Sequence, residues 1–252
     1  MKPRFAIVRP PGRSYVRCVS ESPERGTINV ELALEQHQAY CEALRALGLE
    51  VISLPPLEAY PDACFVEDAA VVRGEVAVIG RFGVESRRGE EGDIAQALAR
   101  YKRIERVTEE ATLEGGDILQ AEELLFAGIS QRTSWQGINE LARHFNLNRY
   151  RLVGVTGALH LKTLCTYLGR GIFLVAETCP WRREFSGFNV ILVPREESYA
   201  ANAVAIGDTI LLARGFPQTR RAIEAHGFAV REIEMSEFRK GDGGLTCLSI
   251  LL

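Results

Sequence analysis

The sequence predicts an α/β protein built as a closed ring of five like units, each made of strands and a helix, around a central site. Three observations carry that prediction. A polar residue, an apolar strand, a short turn and a second apolar strand recur along the chain. The recurrence has a spacing of 42 to 46 residues, a period typical of repeat architectures. Apolar residues at helical spacing fill the stretches between the hairpins.

The elements follow in order. FAIVRP near the start is an apolar strand without a hairpin partner. A helix comes next, with Ala33, His37, Tyr40, Ala43, Leu44 and Leu47 on one face and Gly48 as its stop. The first full unit starts at Asp68 with AAVVRGEVAVIG, and Ile94, Ala97, Leu98 and Tyr101 mark the helix after it. The second starts at Glu114, in EGGD, and runs through ILQAEELLFAGI to a helix over 133–145. The third is His160 followed by LKTLCTYLGRGIFLVAE. The fourth is Asn202 followed by AVAIGDTILLARG and a helical stretch over 219–226. The fifth starts at Cys247, and LSILL ends the chain. FAIVRP is then the missing second strand that closes the ring. Asp68, Glu114, His160, Asn202 and Cys247 occupy equivalent positions, so a closed ring brings them to one axis. Turn polarity explains polar residues there, but not this set of Asp, Glu, His, Asn and Cys.

Composition narrows the function. The chain has 252 residues, 46% hydrophobic and 25% charged, which describes a globular protein with room for a sizeable core. A net charge of −3 offers no basic stripe for nucleic acid and suits a cationic substrate. No apolar run reaches the roughly 20 residues of a membrane span, and the N-terminus lacks a signal-peptide pattern, so the chain reads as cytosolic. The six cysteines, Cys18, Cys41, Cys64, Cys165, Cys179 and Cys247, form no CxxC pair, and no Cys/His cluster has zinc spacing. In a cytosolic chain they read as free thiols, mostly small core residues.

The chemistry concentrates on Cys247 and His160. Taken singly, the first is an ordinary buried cysteine and the second a structural histidine; their joint placement in the repeat points to a nucleophile and its acid/base partner. Glycines in GDGGLTCLS allow close backbone approach and free N–H groups near the sulfur. The other members of the set are acidic: Asp68 with Glu67 beside it, and Glu114 with Asp117. Carboxylates next to a thiol raise its pKa, which defeats catalysis unless the substrate is a cation. A guanidinium presents a fork of N–H donors that matches carboxylates and would bring positive charge to the sulfur. A metal held by Asp, Glu and His is the rival account, without a compact ligand motif to support it.

DACFVEDAAVV, ESRRGE, LEGGDIL, GISQRT, LHLKT, ESYAANA and DGGLTCLS, in that order, resemble the signature segments of the dimethylarginine dimethylaminohydrolases. These belong to the amidinotransferase/arginine deiminase superfamily, the penteins. The resemblance spans essentially the whole chain and implies one catalytic domain over residues 1–252, a five-bladed α/β propeller of ββαβ modules. It implies hydrolysis of N-omega-methylated arginine to citrulline and di- or monomethylamine through an S-alkylthiouronium on Cys247, with no metal or organic cofactor. It also implies residue roles. Cys247 attacks the guanidinium carbon, His160 serves the leaving amine and then water, and Glu114 orients His160. Glu67 and Asp68 hold the guanidinium nitrogens, and Arg87 and Arg132 pair with the α-carboxylate. Asp62 and the backbone at Gly241 receive the α-amino group, and Val19 sits on a lid over residues 18–28. Relatives usually carry Ile or Val where this chain has Gly241, and Leu where it has Val19; both departures touch substrate selection. The expected partner is a small guanidine; oligomeric state, including a homodimer, stays open. The rival readings are the same thiol chemistry on another guanidine, as in arginine deiminases or amidinotransferases, and a non-catalytic binding protein on this scaffold.

Overall fold

Short apolar runs joined by tight turns form hairpins, and the computed structural model, which describes residues 3–252, contains five three-stranded sheets. The strands in chain order are β1 (Phe5–Val8), β2 (Glu50–Ser53), β3 (Ala70–Arg73), β4 (Val76–Ile79), β5 (Arg103–Arg106), β6 (Ile118–Ala121), β7 (Leu124–Ile129), β8 (Arg151–Gly154), β9 (Cys165–Gly169), β10 (Ile172–Ala176), β11 (Asn189–Val193), β12 (Val204–Ile206), β13 (Thr209–Ala213), β14 (Ala229–Ile233) and β15 (Ile250–Leu251). The longer helices are α1 (Val30–Ala46), α2 (Glu91–Leu98), α3 (Trp135–His144) and α4 (Pro217–Ala225). In every sheet the middle strand pairs antiparallel with one neighbour and parallel with the other. This is the ββαβ module, in which a hairpin supplies two strands and a crossover returns the third.

The ring closes as the sequence predicts. C-terminal β15 pairs antiparallel with β1 through Ala6–Leu251 and Ile7–Ile250, and β1 pairs parallel with β2. The first strands of all five modules, β3, β6, β9, β12 and β15, line one central cavity of about 220 Å³. Middle strands such as β10 are buried along their whole length, which suits their continuous apolar sequence. The returning strands, such as β2 and β5, lie at the periphery, with exposed ends. Helices cover the sheets: α1 packs on β2 and β14, α4 on β11 and β14.

One unit departs from the expected plan. Between β10 and β11 there is no α-helix, only a 3-10 turn at Arg182–Phe185. The connection TCPWRREFSGFN is short and carries Pro180 and Gly187, both poor helix residues. Elsewhere the helix boundaries lie close to the apolar periodicity; α1 ends at Ala46, capped by Leu47, with Gly48 at φ +88°, a conformation glycine adopts readily. Among the described residues no helix is long and apolar enough to cross a membrane.

Candidate active site

Each module presents its polar residue on a short turn immediately before its first strand. Asp68 lies in the turn Val66–Ala69, Glu114 precedes Gly115–Asp117, and His160 precedes Leu161–Thr163. Asn202 follows Arg195–Ala201, and Cys247 lies in Thr246–Leu248. These turns touch in sequence around the ring, with Thr246–Leu248 packed on Val66–Ala69. Asn202 joins the fourth turn to the fifth, accepting the Thr246 N–H at 3.0 Å and donating to Thr246 Oγ1 at 3.1 Å.

Two carboxylates face one nitrogen of the imidazole. His160 Nε2 lies 2.7 Å from Glu114 Oε2 and 3.9 Å from Asp68 Oδ1. All three side chains are buried. Desolvation alone would lower the imidazole pKa, but Asp68, the Glu114 hydrogen bond and Asp117 outweigh it and push it up to about 9. His160 is therefore an imidazolium at neutral pH. Asp68 is desolvated too, yet His160 and Arg87 hold its carboxyl down at about 2. The sulfur is pushed the other way: burial, then Glu67 and Asp68, raise the Cys247 thiol to about 12. The Gly244 N–H, which donates to Cys247 Sγ at 3.4 Å, and the Lys162 ammonium oppose that rise.

The glycines of EGGD are needed by this packing. A Cβ on Gly115 would run into the Glu67 carbonyl, and one on Gly116 would lie 2.7 Å from His160 Cγ and 2.8 Å from Asp68 Oδ1. Asp117 supports the same wall. Its Oδ1 accepts the Leu161 N–H at 2.9 Å and its Oδ2 accepts the Ser130 hydroxyl at 2.6 Å.

The remaining predicted residues fall as follows. Glu67 accepts the Thr246 hydroxyl at 2.6 Å and pairs with Lys162 Nζ. Lys162, two residues after His160, is half-buried in a turn. Arg87 is buried over the Phe82 ring, its Nη1 donating to Asp68 Oδ2 at 2.8 Å. Its Nε and Nη2 face Glu90 at 3.1 and 2.9 Å, so its bidentate edge is occupied from within the chain. Arg132 Nη1 is different: it is buried, has no hydrogen-bond partner, and lies 3.5 Å from Glu114 Oε1. Asp62 accepts the Val19 N–H at 3.1 and 3.2 Å, while the Val19 side chain is exposed. At Gly241 a side chain would meet the Tyr15 hydroxyl at 2.5 Å and Cys18 Sγ at 3.1 Å. The space that Ile or Val would need is filled by buried Tyr15. All six cysteines are free thiols.

Sequence reasoning passed over Glu90 and Thr246. Glu90 follows Arg87 by three residues, a spacing that places opposite charges together on a helical turn. Nothing local marks Thr246, whose partners come from distant turns. Donor atoms of Asp68, Glu114 and His160 lie within 4.8 Å of one another and could hold a cation. The adjoining Arg87 and Arg132 guanidinium groups already supply positive charge to those carboxylates. Glu67, Lys162 and Thr246 also line the central cavity, whereas His160 does not.

Five ββαβ modules closed around a hub of this kind define a pentein, the five-bladed α/β propeller. The family model for eukaryotic N,N dimethylarginine dimethylhydrolase matches residues 19–249. The chain belongs to the dimethylarginine dimethylaminohydrolase family. An N(G),N(G)-dimethylarginine dimethylaminohydrolase of Pseudomonas aeruginosa is 37% identical over 253 residues, 98% of each chain. A solved Cys-to-Ser mutant of the P. aeruginosa enzyme complexed with citrulline superposes with a TM-score of 0.96, at 35% identity and over 100% of both chains. A His-to-Gly mutant of a dimethylarginine dimethylaminohydrolase, as an adduct with S-methyl-L-thiocitrulline, superposes with a TM-score of 0.95 at 35% identity, over 99% of this chain and 100% of that one.

Proposed function

We propose that the chain, as one catalytic unit in the cytoplasm, hydrolyses N-omega-methylated arginine to citrulline and di- or monomethylamine through a covalent intermediate on Cys247. The observation that carries this reading is the buried hub itself. It combines a thiol raised to about 12 by burial, then by Glu67 and Asp68, with an imidazole that Asp68, Glu114 and Asp117 raise to about 9 against its own desolvation. Such a pair is inactive until a cation enters. A guanidinium against Glu67 and Asp68 offsets the charge that protonates the sulfur, the thiol gives its proton to solvent, and the thiolate then adds to the guanidinium carbon. His160, already protonated and held by Glu114, gives its proton to the departing amine. The neutral imidazole then takes one proton from water, which adds to the S-alkylthiouronium carbon; collapse breaks the C–S bond, releases citrulline and leaves the second proton on Cys247, restoring the resting thiol.

Arg132 Nη1, which makes no hydrogen bond although it is ion-paired with Glu114, is the donor best suited to the substrate α-carboxylate. Arg87 acts mainly by holding Asp68, with any contact to that carboxylate left to its Nη1 side. Asp62 and the Gly241 carbonyl would receive the α-amino group, beneath Val19. The relatives' citrulline and S-methyl-L-thiocitrulline complexes support a citrulline-forming reaction. The test is direct: incubate the purified chain with asymmetric dimethylarginine and measure citrulline and dimethylamine in equal amounts. Absence of turnover on every methylated arginine, with turnover of arginine or transfer to an added amine, assigns the thiol chemistry to another guanidine.

A further inference from the structure

The loop over residues 18–28 and the loop leading into Cys247 meet at Asp242. In the run Gly241–Gly244 it is the one non-glycine, and it stands at φ +58°, a left-handed conformation that L residues adopt sparingly. The run has little freedom to shift. Added Cβ atoms at 241 and 244 would lie 2.5 Å from Tyr15 Oη and Asn202 respectively, and one at 243 would strike the Phe65 ring. The Asp242 carboxylate accepts the Ser20 hydroxyl at 2.7 Å and the Glu21 N–H at 2.9 Å. Lys240 Nζ donates to the Thr27 carbonyl at 3.0 Å, and Val19 is tied on the other side to Asp62. Two residues after Asp242, the Gly244 N–H points at Cys247 Sγ.

We infer that Asp242 is a positioning residue that couples the 18–28 loop to the sulfur. With Ser20 and Glu21 on its carboxylate, the left-handed turn is held and the Gly244 N–H stays on Cys247. When the loop lifts, the turn loses the bonds that offset its conformation, and the N–H donor is no longer fixed. Thiolate formation is thereby favoured only under a seated loop. The inference rests on Cys247 being the nucleophile proposed above.

Three variants of the full chain test it: D242G, which relaxes the turn and removes the acceptor; D242N, which keeps one acceptor and suits the left-handed region; and S20A, which removes one donor. Each is assayed for kcat and KM on asymmetric dimethylarginine, for the pH profile of Cys247 alkylation by iodoacetamide, and for hydrogen exchange over 18–28. D242G should lower kcat by about tenfold, move the alkylation profile to higher pH and speed exchange in the loop. S20A should fall between D242G and wild type, and D242N should recover to within about threefold of wild type. An unchanged alkylation profile and loop exchange in D242G, or a D242N as impaired as D242G, overturns the coupling. If the wild type turns over no methylarginine, yet D242G still moves the alkylation profile and the exchange, the coupling stands and the substrate reading falls.

Discussion

Two side chains at the hub are shifted in the same direction, Asp68 contributing to both, with opposite consequences for reactivity. Asp68, with Glu114 and Asp117, keeps His160 protonated up to about 9; burial, then Glu67 and Asp68, keeps Cys247 protonated up to about 12. A neutral alkylating agent should therefore react slowly with Cys247 near neutral pH and faster through the alkaline range. A haloacetamidine carries its own cation, and its rate at about pH 7 should exceed that of iodoacetamide by at least about tenfold once both are normalised to a free thiol. Equal normalised rates would show that the cation plays no part in forming the thiolate. His160 also makes a prediction about stability. Its folded pKa lies above its ordinary 6.5, so its protonation stabilises the folded chain fully below that value, and the contribution is lost as pH rises through about 9. Between those two pH values the wild-type Tm should fall more steeply than that of H160Q; parallel curves from thermal scans would contradict the assignment. At this scale the sequence revealed which residues carry charge. It did not reveal that Arg87 spends its bidentate edge on Glu90 while Arg132 Nη1, ion-paired with Glu114, makes no hydrogen bond.

The local elements explain why the hub can be so tight. The turn carrying Glu114 lies against the His160 ring because Gly116 has no side chain there. G116A should displace the imidazole or the Asp68 carboxylate and lower kcat by about tenfold to a hundredfold, with a stability loss of about 1–3 kcal/mol typical of overpacking. G154A is the control: nothing lies within 4 Å of its added Cβ, and its kcat should match wild type. Steady-state assays with denaturant melts on both variants decide the matter. Hairpins and most helices were legible in the sequence, since apolar periodicity and turn glycines are local signals. The missing helix between β10 and β11 shows the limit of a repeat argument. Spacing alone counts residues, and a short connection with a proline can span the same gap without helical turns.

The ring as a whole depends on a short seam. β15 offers only Ile250 and Leu251 to β1, helped by the Leu252 backbone, which bonds to Arg4 and Phe5. The turn bearing Cys247 lies immediately before that strand. Removing residues 250–252 should therefore open the fifth sheet, lower the denaturation midpoint and lower kcat by at least about tenfold, because the nucleophile loses its anchor. A truncated chain with wild-type turnover would mean that the seam is dispensable. The same seam explains how the two ends of the sequence came to be predicted as neighbours: each carried half of a hairpin that the other four modules possess complete.

The sequence by itself determined the fivefold plan, the closure of the ring by the first strand, and the five polar residues brought to the hub, because all of these follow from local patterning repeated at a fixed period. Tertiary structure alone decided which charges are spent within the protein and which are free for a ligand. It also decided that Tyr15 fills the space over Gly241, and how far the thiol and imidazole are shifted. Those properties depend on desolvation and on partners as many as 226 residues apart (Tyr15 and Gly241), and a linear pattern of residue types carries no record of either.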